Sequence, residues 1–395
     1  MPFAIILLCG RVETNSINPV SQGRLTGQKP CIHAGLSRFD GHSHSVNGYM
    51  VDDGYLNADI AAGKKANETV SFSLDVLTLL GFRDIADIEL GFNITDSKYN
   101  DYLQTGPRQL KTSLADSYDY EVDTYRQAIA GNLSALGVTL DYDSEEAVYD
   151  QKGIRVVSQT LVTNSNGEQA LLAEIENTSS DMVYVSVGDV ALNGLSVQSG
   201  TWSTDWISAG KRRIITMNLS NMLDESYRSA FGLESVGQVT YTLEPKDSDR
   251  DTLVLPQTLT LTVPGGNTSC DTSGEALYQE DGIHIVSKGL APDSFELSDD
   301  IHLLLLVENG TNQTLTFDVD YDSISVNGYM TDFICYSRTV VPGGSGVLDV
   351  ELMDSSLEKN GIIELESVTE VELTIEARND SYQTVAKAVV TAKGN

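Results

Sequence analysis

The chain has 395 residues, of which 41% are hydrophobic, and its 57 acidic against 25 basic side chains give a net charge of −32. A field of this sign repels phosphate backbones and anionic lipid heads, so it disfavours nucleic acid and membrane surfaces as partners. The apolar content is ample for packed cores, and the length predicts about two to four domains.

Residues 1–42 differ in composition from the rest of the chain. They carry four basic against two acidic side chains, a net charge of +2, and include Cys9 and Cys31. The apolar run at residues 2–8 lacks a basic n-region and is too short to span a bilayer. We therefore predict an unrelated, disordered segment without a convincing signal sequence, and no stretch elsewhere is long enough for a membrane span.

A six-residue sequence occurs twice in the chain. Ser-Val-Asn-Gly-Tyr-Met stands at residues 45–50 and again at 325–330, and a degraded copy stands at 191–195. Asn-Gly between alternating apolar runs predicts a tight β-hairpin, because such a turn needs positive φ at both central residues. The three copies therefore indicate an internal repeat whose motif is structural.

The second and third copies belong to two full repeats at residues 147–264 and 277–395. Matching strands and turns recur at offsets that drift only from 129 to 134. Short strands separated by turn signals are typical of an antiparallel immunoglobulin-like β-sandwich. We predict that the two segments superpose as sandwiches, with one short crossover helix in each, at residues 218–225 and 352–359.

The first repeat, residues 43–115, has the hairpin and later strands but nothing that matches the front strands of the other two. It is predicted to be a truncated sandwich. Residues 116–146 carry apolar side chains at helical spacing and predict a linker with an amphipathic helix. Residues 265–276 are rich in Gly, Ser and Thr and predict a flexible linker. The fold class is all-β: tandem immunoglobulin-like antiparallel sandwiches joined by a helical linker.

The repeat pattern, Tyr-x3-Gly-Ile-x-Val/Ile-Val-Ser followed by Glu-Asn, Asn-Gly and a glycine turn, resembles β-sandwich repeats of uncharacterised secreted and lipoprotein-like proteins of Gram-positive gut bacteria. The resemblance covers roughly residues 43–395. It implies the fold and an extracellular or cell-surface location, and it implies no activity, because function lies in sites rather than folds.

Two acidic clusters are the candidate metal sites, and Ca²⁺ is the candidate cofactor. Closely spaced carboxylates at domain edges offer the hard oxygen ligands that calcium prefers, although neither cluster has the EF-hand pattern. A solvated loop is the alternative for both. The candidate ligands are Asp141, Asp143, Glu145, Asp247, Asp249 and Asp251.

The two tryptophans, Trp202 and Trp206, are the candidate ligand-binding residues. Exposed aromatic rings stack on sugars, and packing at a sandwich edge is the alternative. No catalytic residue is assigned, since the chain has no Gly-x-Ser-x-Gly nucleophile elbow and no phosphate-binding glycine loop.

The sequence therefore predicts a non-enzymatic extracellular or surface protein that acts in binding, adhesion or spacing, with an unknown protein or glycan partner. A carbohydrate-binding protein that uses Trp202 and Trp206 is the alternative. The ligand, the mode of surface attachment and the oligomeric state do not follow from the sequence.

Overall fold

A computed structural model describes residues 7–11, 31–35, 44–52, 54, 57–61, 67–96, 101–131, 133–196, 203–219, 225–292 and 300–394. Over these residues the protein is all-β, which confirms the predicted fold class. The strands form three consecutive units, named here unit 1, unit 2 and unit 3.

Unit 1 comprises β1 (Leu7–Arg11), β2 (Cys31–Gly35), β3 (Ser45–Val46), β4 (Tyr49–Met50), β5 (Asn57–Ala61), β6 (Asn67–Val70), the helix α1 (Leu74–Leu79), β7 (Asp87–Asp96) and β8 (Asp101–Lys111). The linker contains α2 (Thr124–Gly131) and a 3-10 turn, Leu133–Leu136.

Unit 2 comprises β9 (Val138–Ser144), β10 (Tyr149–Gln151), β11 (Ile154–Asn164), β12 (Gln169–Asn177), β13 (Val183–Leu192), β14 (Leu195–Ser196), β15 (Ser203–Ile207), β16 (Arg212–Asn218), α3 (Glu225–Phe231), β17 (Gln238–Lys246) and β18 (Gln257–Thr262).

Unit 3 comprises β19 (Glu275–Glu280), β20 (Ile283–Pro292), β21 (Ile301–Asn309), β22 (Leu315–Val319), β23 (Ser325–Val326), β24 (Tyr329–Met330), β25 (Phe333–Cys335), β26 (Arg338–Val340), β27 (Ser345–Leu352), α4 (Asp354–Lys359), a 3-10 turn (Leu365–Ser367), β28 (Glu370–Asn379) and β29 (Thr384–Lys393).

Each unit has two sheets, and the second sheet of one unit continues into the first sheet of the next. In the described strands, β16 of unit 2 pairs with β4 of unit 1, which gives one 11-stranded sheet. In the same way β27 of unit 3 pairs with β14 of unit 2, which gives a 10-stranded sheet. Both joining pairs are parallel, whereas the pairs inside the units are antiparallel. Sheets therefore run across the two places where the sequence predicted boundaries between the repeats.

The three Asn-Gly hairpins have the predicted geometry. Asn47, Asn193 and Asn327 have φ of 48°, 49° and 52°, and the glycine that follows each also has positive φ. Each Asn side chain ties its turn to the strand alongside. In the second copy, Asn193 Oδ1 accepts from the amides of Gly237 and Gln238 at 2.9 and 3.0 Å. The motif is therefore a structural clamp.

Replacing Asn193 with alanine is expected to destabilise the chain by about 2–3 kcal/mol, because it leaves buried amides unpaired and puts a Cβ-bearing residue without a polar side chain at positive φ. Asn193 is 1% exposed, whereas Asn327 makes the same kind of bonds in a partly exposed turn. Asn327→Ala should cost less, since water can replace the lost partner. Urea-unfolding midpoints of the two variants measure the difference, and equal midpoints would contradict it.

The cores of consecutive units interlock through strands that are buried on both faces. Along β21, Leu303, Leu305 and Val307 pack into the core of unit 3, whereas Leu304 and Leu306 pack into the core of unit 2. A strand covered on both sides reads as a continuous apolar run rather than an alternation. The run in β21 is therefore explained by contact with the preceding unit.

Unit 1 contains strands that its sequence did not predict. Inside residues 1–42 the structure describes β1, which pairs with β6, and β2, which pairs with β5 and β7. The disorder predicted for residues 1–42 does not hold for these ten residues, and the remainder of that segment lies outside the described residues. β1 of unit 1 corresponds to β12 of unit 2, because β1 pairs with β6 in the way that β12 pairs with β16.

The linker helix completes the core of unit 1. Tyr125 and Ile129 of α2 are 0% and 4% exposed and pack with Val46, Leu77 and Ile88 of unit 1. The predicted amphipathic helix therefore covers apolar side chains that a truncated sandwich would leave in water.

Candidate functional site at the joint between units 1 and 2

The hairpin of unit 1 ends on the first sheet of unit 2. Tyr49 lies opposite Arg212 in the parallel pair of β4 and β16, and the amide of Arg212 donates to the carbonyl of Gly48 at 3.0 Å. The turn geometry of Asn47-Gly48 points the following residues at the neighbouring unit. Three consecutive basic residues at the start of β16, Lys211 just before the strand and Arg212 and Arg213 within it, each bind an acidic group across or beside this joint.

The outer two of these basic residues join the two units directly. Lys211 Nζ donates to Glu89 Oε1 of unit 1 at 2.8 Å. Arg213, whose side chain is 5% exposed, binds Asp52 of unit 1 and Asp205 of unit 2. These ion pairs are partly withdrawn from water, so salt screens them less than it screens surface pairs.

The middle residue, Arg212, lies in a buried network. Its Nη1 is 2.9 Å from Asp123 Oδ2 and 3.3 Å from Glu174 Oε1. The Tyr49 hydroxyl lies 3.1 Å from Glu174 Oε1 and 3.2 Å from Asp123 Oδ1, and Ser158 Oγ donates to Glu174 Oε2 at 3.0 Å. The linker, unit 1 and unit 2 each supply a member, so the network forms only when all three are in place.

Burial sets the electrostatics of this network. Glu174 is 0% exposed, and loss of hydration together with the neighbouring Asp123 raises the pKa of its carboxyl to about 7. Burial likewise raises the pKa of the Tyr49 hydroxyl, which stays a proton donor at ordinary pH. The joint thus contains a carboxyl group that titrates near neutrality.

The joint between units 2 and 3 has the same backbone arrangement, with uncharged side chains at these positions. Leu195 stands where Tyr49 stands in the first joint, and Ser345 stands where Arg212 stands. Leu306 has the place of Glu174, since both lie three residues before the aligned asparagines Asn309 and Asn177. The polar members of the first joint are therefore replaced together in the second.

The predicted calcium ligands near the linker are occupied by protein groups. Arg126 binds both carboxylate oxygens of Asp143 and also Glu145, at 2.8 Å. Asp141 accepts from Thr163 and Gln169. The Arg126 contacts join α2 to β9 and the residue after it, and the Asp141 contacts join β9 to β11 and β12.

The second predicted cluster forms a turn between β17 and β18. Asp247 Oδ1 accepts from the amides of Asp249 and Asp251, both at 2.9 Å. Over the ranges that the structure describes, no three His, Cys, Asp or Glu side chains are grouped so as to hold a metal ion. Calcium binding at either cluster stays a prediction, and the observed contacts are those of structural carboxylates.

The aromatic candidate site is described in part. Trp202 lies outside the described residues. Trp206 packs edge-on against Tyr184 with ring centroids 4.9 Å apart, and the Arg250 guanidinium lies over both rings. This favours the packing interpretation for Trp206, and sugar binding stays a prediction.

One cleft of about 470 Å³ lies at the start of the first sheet of unit 3. Its polar pair is His284 and Glu308, whose Nδ1 and Oε2 atoms are 2.6 Å apart, and glycines of the neighbouring turns form the other walls. The pair is a cross-strand contact between β20 and β21.

Comparisons with known proteins add little. No family model matches the sequence. No curated protein matches it. Two solved structures have partial similarity. A red sea bream transglutaminase is 11% identical, with a TM-score of 0.17, over 77% of this chain. The BSP domain of a biofilm-associated protein is 12% identical, with a TM-score of 0.13, over 97% of this chain.

The chain spans 37% and 62% of those two proteins' lengths, and scores this low carry no argument about function. The class that the fold defines is a tandem β-sandwich protein. In the described part of the chain, no helix has the length and apolar character needed to cross a membrane.

Proposed function

We propose that the protein is a non-catalytic scaffold that works outside the cell or at its surface, in binding, adhesion or spacing. The continuity of the sheets across both joints is the observation that supports this most. A hinge between two sandwiches needs an interface that separates easily, whereas a large apolar interface restrains domain motion. Here bending would break a parallel strand pair and expose Leu304 and Leu306.

The composition supports the same proposal. The net charge of −32 keeps such an array soluble and repels other polyanions. The proposed scaffold has no catalytic residues, and the charged groups of the first joint are assigned to holding units 1 and 2 together.

Small-angle X-ray scattering from the whole chain tests the mechanical part of the proposal. We expect a pair-distance distribution that matches the structure and does not change with ionic strength. A broad distribution typical of flexibly linked domains would contradict it. The location is tested by antibodies against the chain, which should label intact cells of the native host, and labelling only after permeabilisation would contradict surface placement.

A further inference from the structure

The cleft at the start of the first sheet of unit 3 has a filled counterpart in unit 2. Strand pairing aligns the two places. In unit 2 Arg155 of β11 lies opposite Glu176 of β12. In unit 3 His284 of β20 lies opposite Glu308 of β21 in the same way. The residues around the open cleft can therefore be compared one by one with those of the filled place.

The cleft lies where unit 2 has a large basic side chain. Arg212 lies opposite Glu176 in the pairing of β16 with β12. Ser345 lies opposite Glu308 in the pairing of β27 with β21, and both residues line the cleft of about 470 Å³. A long side chain beside the carboxylate in unit 2 thus has a short counterpart in unit 3, which leaves the space open.

The carboxylate contacts of the two units differ by one guanidinium group. In unit 2 Glu176 Oε2 is 3.0 Å from Arg155 Nη1, and Glu176 Oε1 is 3.4 Å from Arg212 Nη2. In unit 3 Glu308 Oε2 is 2.6 Å from His284 Nδ1. Of the described residues, none donates to Glu308 Oε1. This oxygen corresponds to the one that Arg212 binds in unit 2.

The turn that forms one wall of the cleft has the opposite charge in the two units. Gln151 and Lys152 precede the glycine of this turn in unit 2, whereas Glu280 and Asp281 precede it in unit 3. Glu280 and Asp281 are exposed and line the cleft. The described lining of the cleft thus has three acidic side chains and neither lysine nor arginine. A cation is the ligand that this field attracts.

We propose that the cleft of unit 3 binds a guanidinium group, the cationic group of arginine, supplied by another molecule. Glu308 Oε1 accepts from it as Glu176 Oε1 accepts from Arg212 in unit 2. A guanidinium is planar and presents its N–H donors in a fixed fork, which suits carboxylates better than an ammonium does. The Glu308 side chain is 30% exposed, so the ion pair is partly withdrawn from water. This ligand site is separate from the rigidity and the location proposed above, which have their own tests.

An NMR titration of the whole chain with short blocked peptides tests the proposal. The chain has five histidines, so the ring signals of His284 report binding at this cleft. We expect a blocked Gly-Arg-Gly peptide to shift them. The same peptide with citrulline, which has the shape of arginine without its charge, should bind about tenfold more weakly. Equal binding of the two peptides, or no shift of the His284 signals, would overturn the proposal.

Substitutions in the chain test the assigned atoms. Glu308→Gln should weaken binding of the arginine peptide about tenfold, as loss of one partly desolvated ion pair would. Glu358→Gln is the matched control, because Glu358 is exposed on α4 and does not line the cleft. Ser345→Arg puts a guanidinium where Arg212 has its own and should abolish binding. Unchanged binding in the Glu308 or the Ser345 variant would contradict the assignment. The citrulline comparison uses the parent chain, so it decides the matter even where a variant fails to fold.

Free L-arginine is the second probe, and it identifies the source of the group. Tighter binding of the blocked peptide would assign the site to an arginine side chain of a protein partner. Equal or tighter binding of free arginine would assign it to a small molecule. Both results support binding of a guanidinium group, whereas failure of both probes to bind at millimolar concentration would refute it.

Discussion

Replacing Arg212 with alanine is expected to lower the free energy of unfolding at pH 8 by about 3–5 kcal/mol, because the change leaves the buried carboxylate of Glu174 and the partly buried carboxylate of Asp123 without their cation. Glu174 is 0% exposed and Asp123 accepts from the same guanidinium at 2.9 Å. The penalty should shrink in acid, since protonation of Glu174 removes the uncompensated charge.

Urea unfolding of the whole chain measures this effect, with Arg155→Ala as the control. Arg155 also binds Glu176, but its side chain is 38% exposed, and exposed ion pairs contribute about 0–1 kcal/mol. Equal decreases in the free energy of unfolding for the two variants would show that the network at the joint stabilises the chain no more than an exposed ion pair does. Limited proteolysis should show the same contrast, with unit 1 cleaved first in the Arg212 variant.

The stability of the joint is expected to fall as the pH rises through neutrality. Burial and the nearby Asp123 raise the pKa of Glu174 from 4.5 to about 7. Between these two values the folded chain keeps a proton that the unfolded chain releases, so the folded state is favoured at the acidic end and loses that advantage as the pH passes the folded pKa. At about 1.4 kcal/mol for each pKa unit, the free energy of unfolding should fall by roughly 3 kcal/mol as the pH rises from the unfolded to the folded pKa of Glu174.

The Glu174→Gln variant isolates this contribution. Glutamine keeps the shape of the side chain and does not titrate, so the variant should be relatively more stable at pH 8 than at pH 5 when compared with the parent chain. The quantity compared is the slope of the free energy of unfolding against pH in the variant and in the parent chain, since the many other carboxylates titrate in both proteins. Parallel pH profiles would mean that Glu174 ionises at its ordinary pKa.

Local chemistry was enough to predict much of the fold. The Asn-Gly turns follow from the need for positive φ, and the structure has them at Asn47, Asn193 and Asn327. The apolar run of β21 is typical of a buried strand. Its continuous burial depends on unit 2, and periodicity does not show which body covers the second face of a strand.

The candidate site was beyond the reach of the sequence for the same reason. Tyr49 and Tyr329 belong to identical hexapeptides, yet one is buried in a charged network and the other is exposed. Glu174 lies in an apolar run and meets Arg212 only through sheet pairing with β16. Acidic side chains that suggested a metal, such as Asp143, are neutralised by Arg126 from a helix earlier in the chain.

The shared strand burial has a consequence for synthesis and storage of the protein. Unit 3 released from unit 2 would present Leu304, Leu306 and Val347 to water on one face of a sheet, and apolar strands of this kind seed aggregation. On the ribosome unit 2 emerges and folds first, so the nascent unit 3 meets a finished apolar surface as it leaves the exit tunnel. Cleavage within residues 265–274 would remove the covalent link between units 2 and 3, so that a unit 3 which dissociates is no longer held close enough to unit 2 to cover these side chains again.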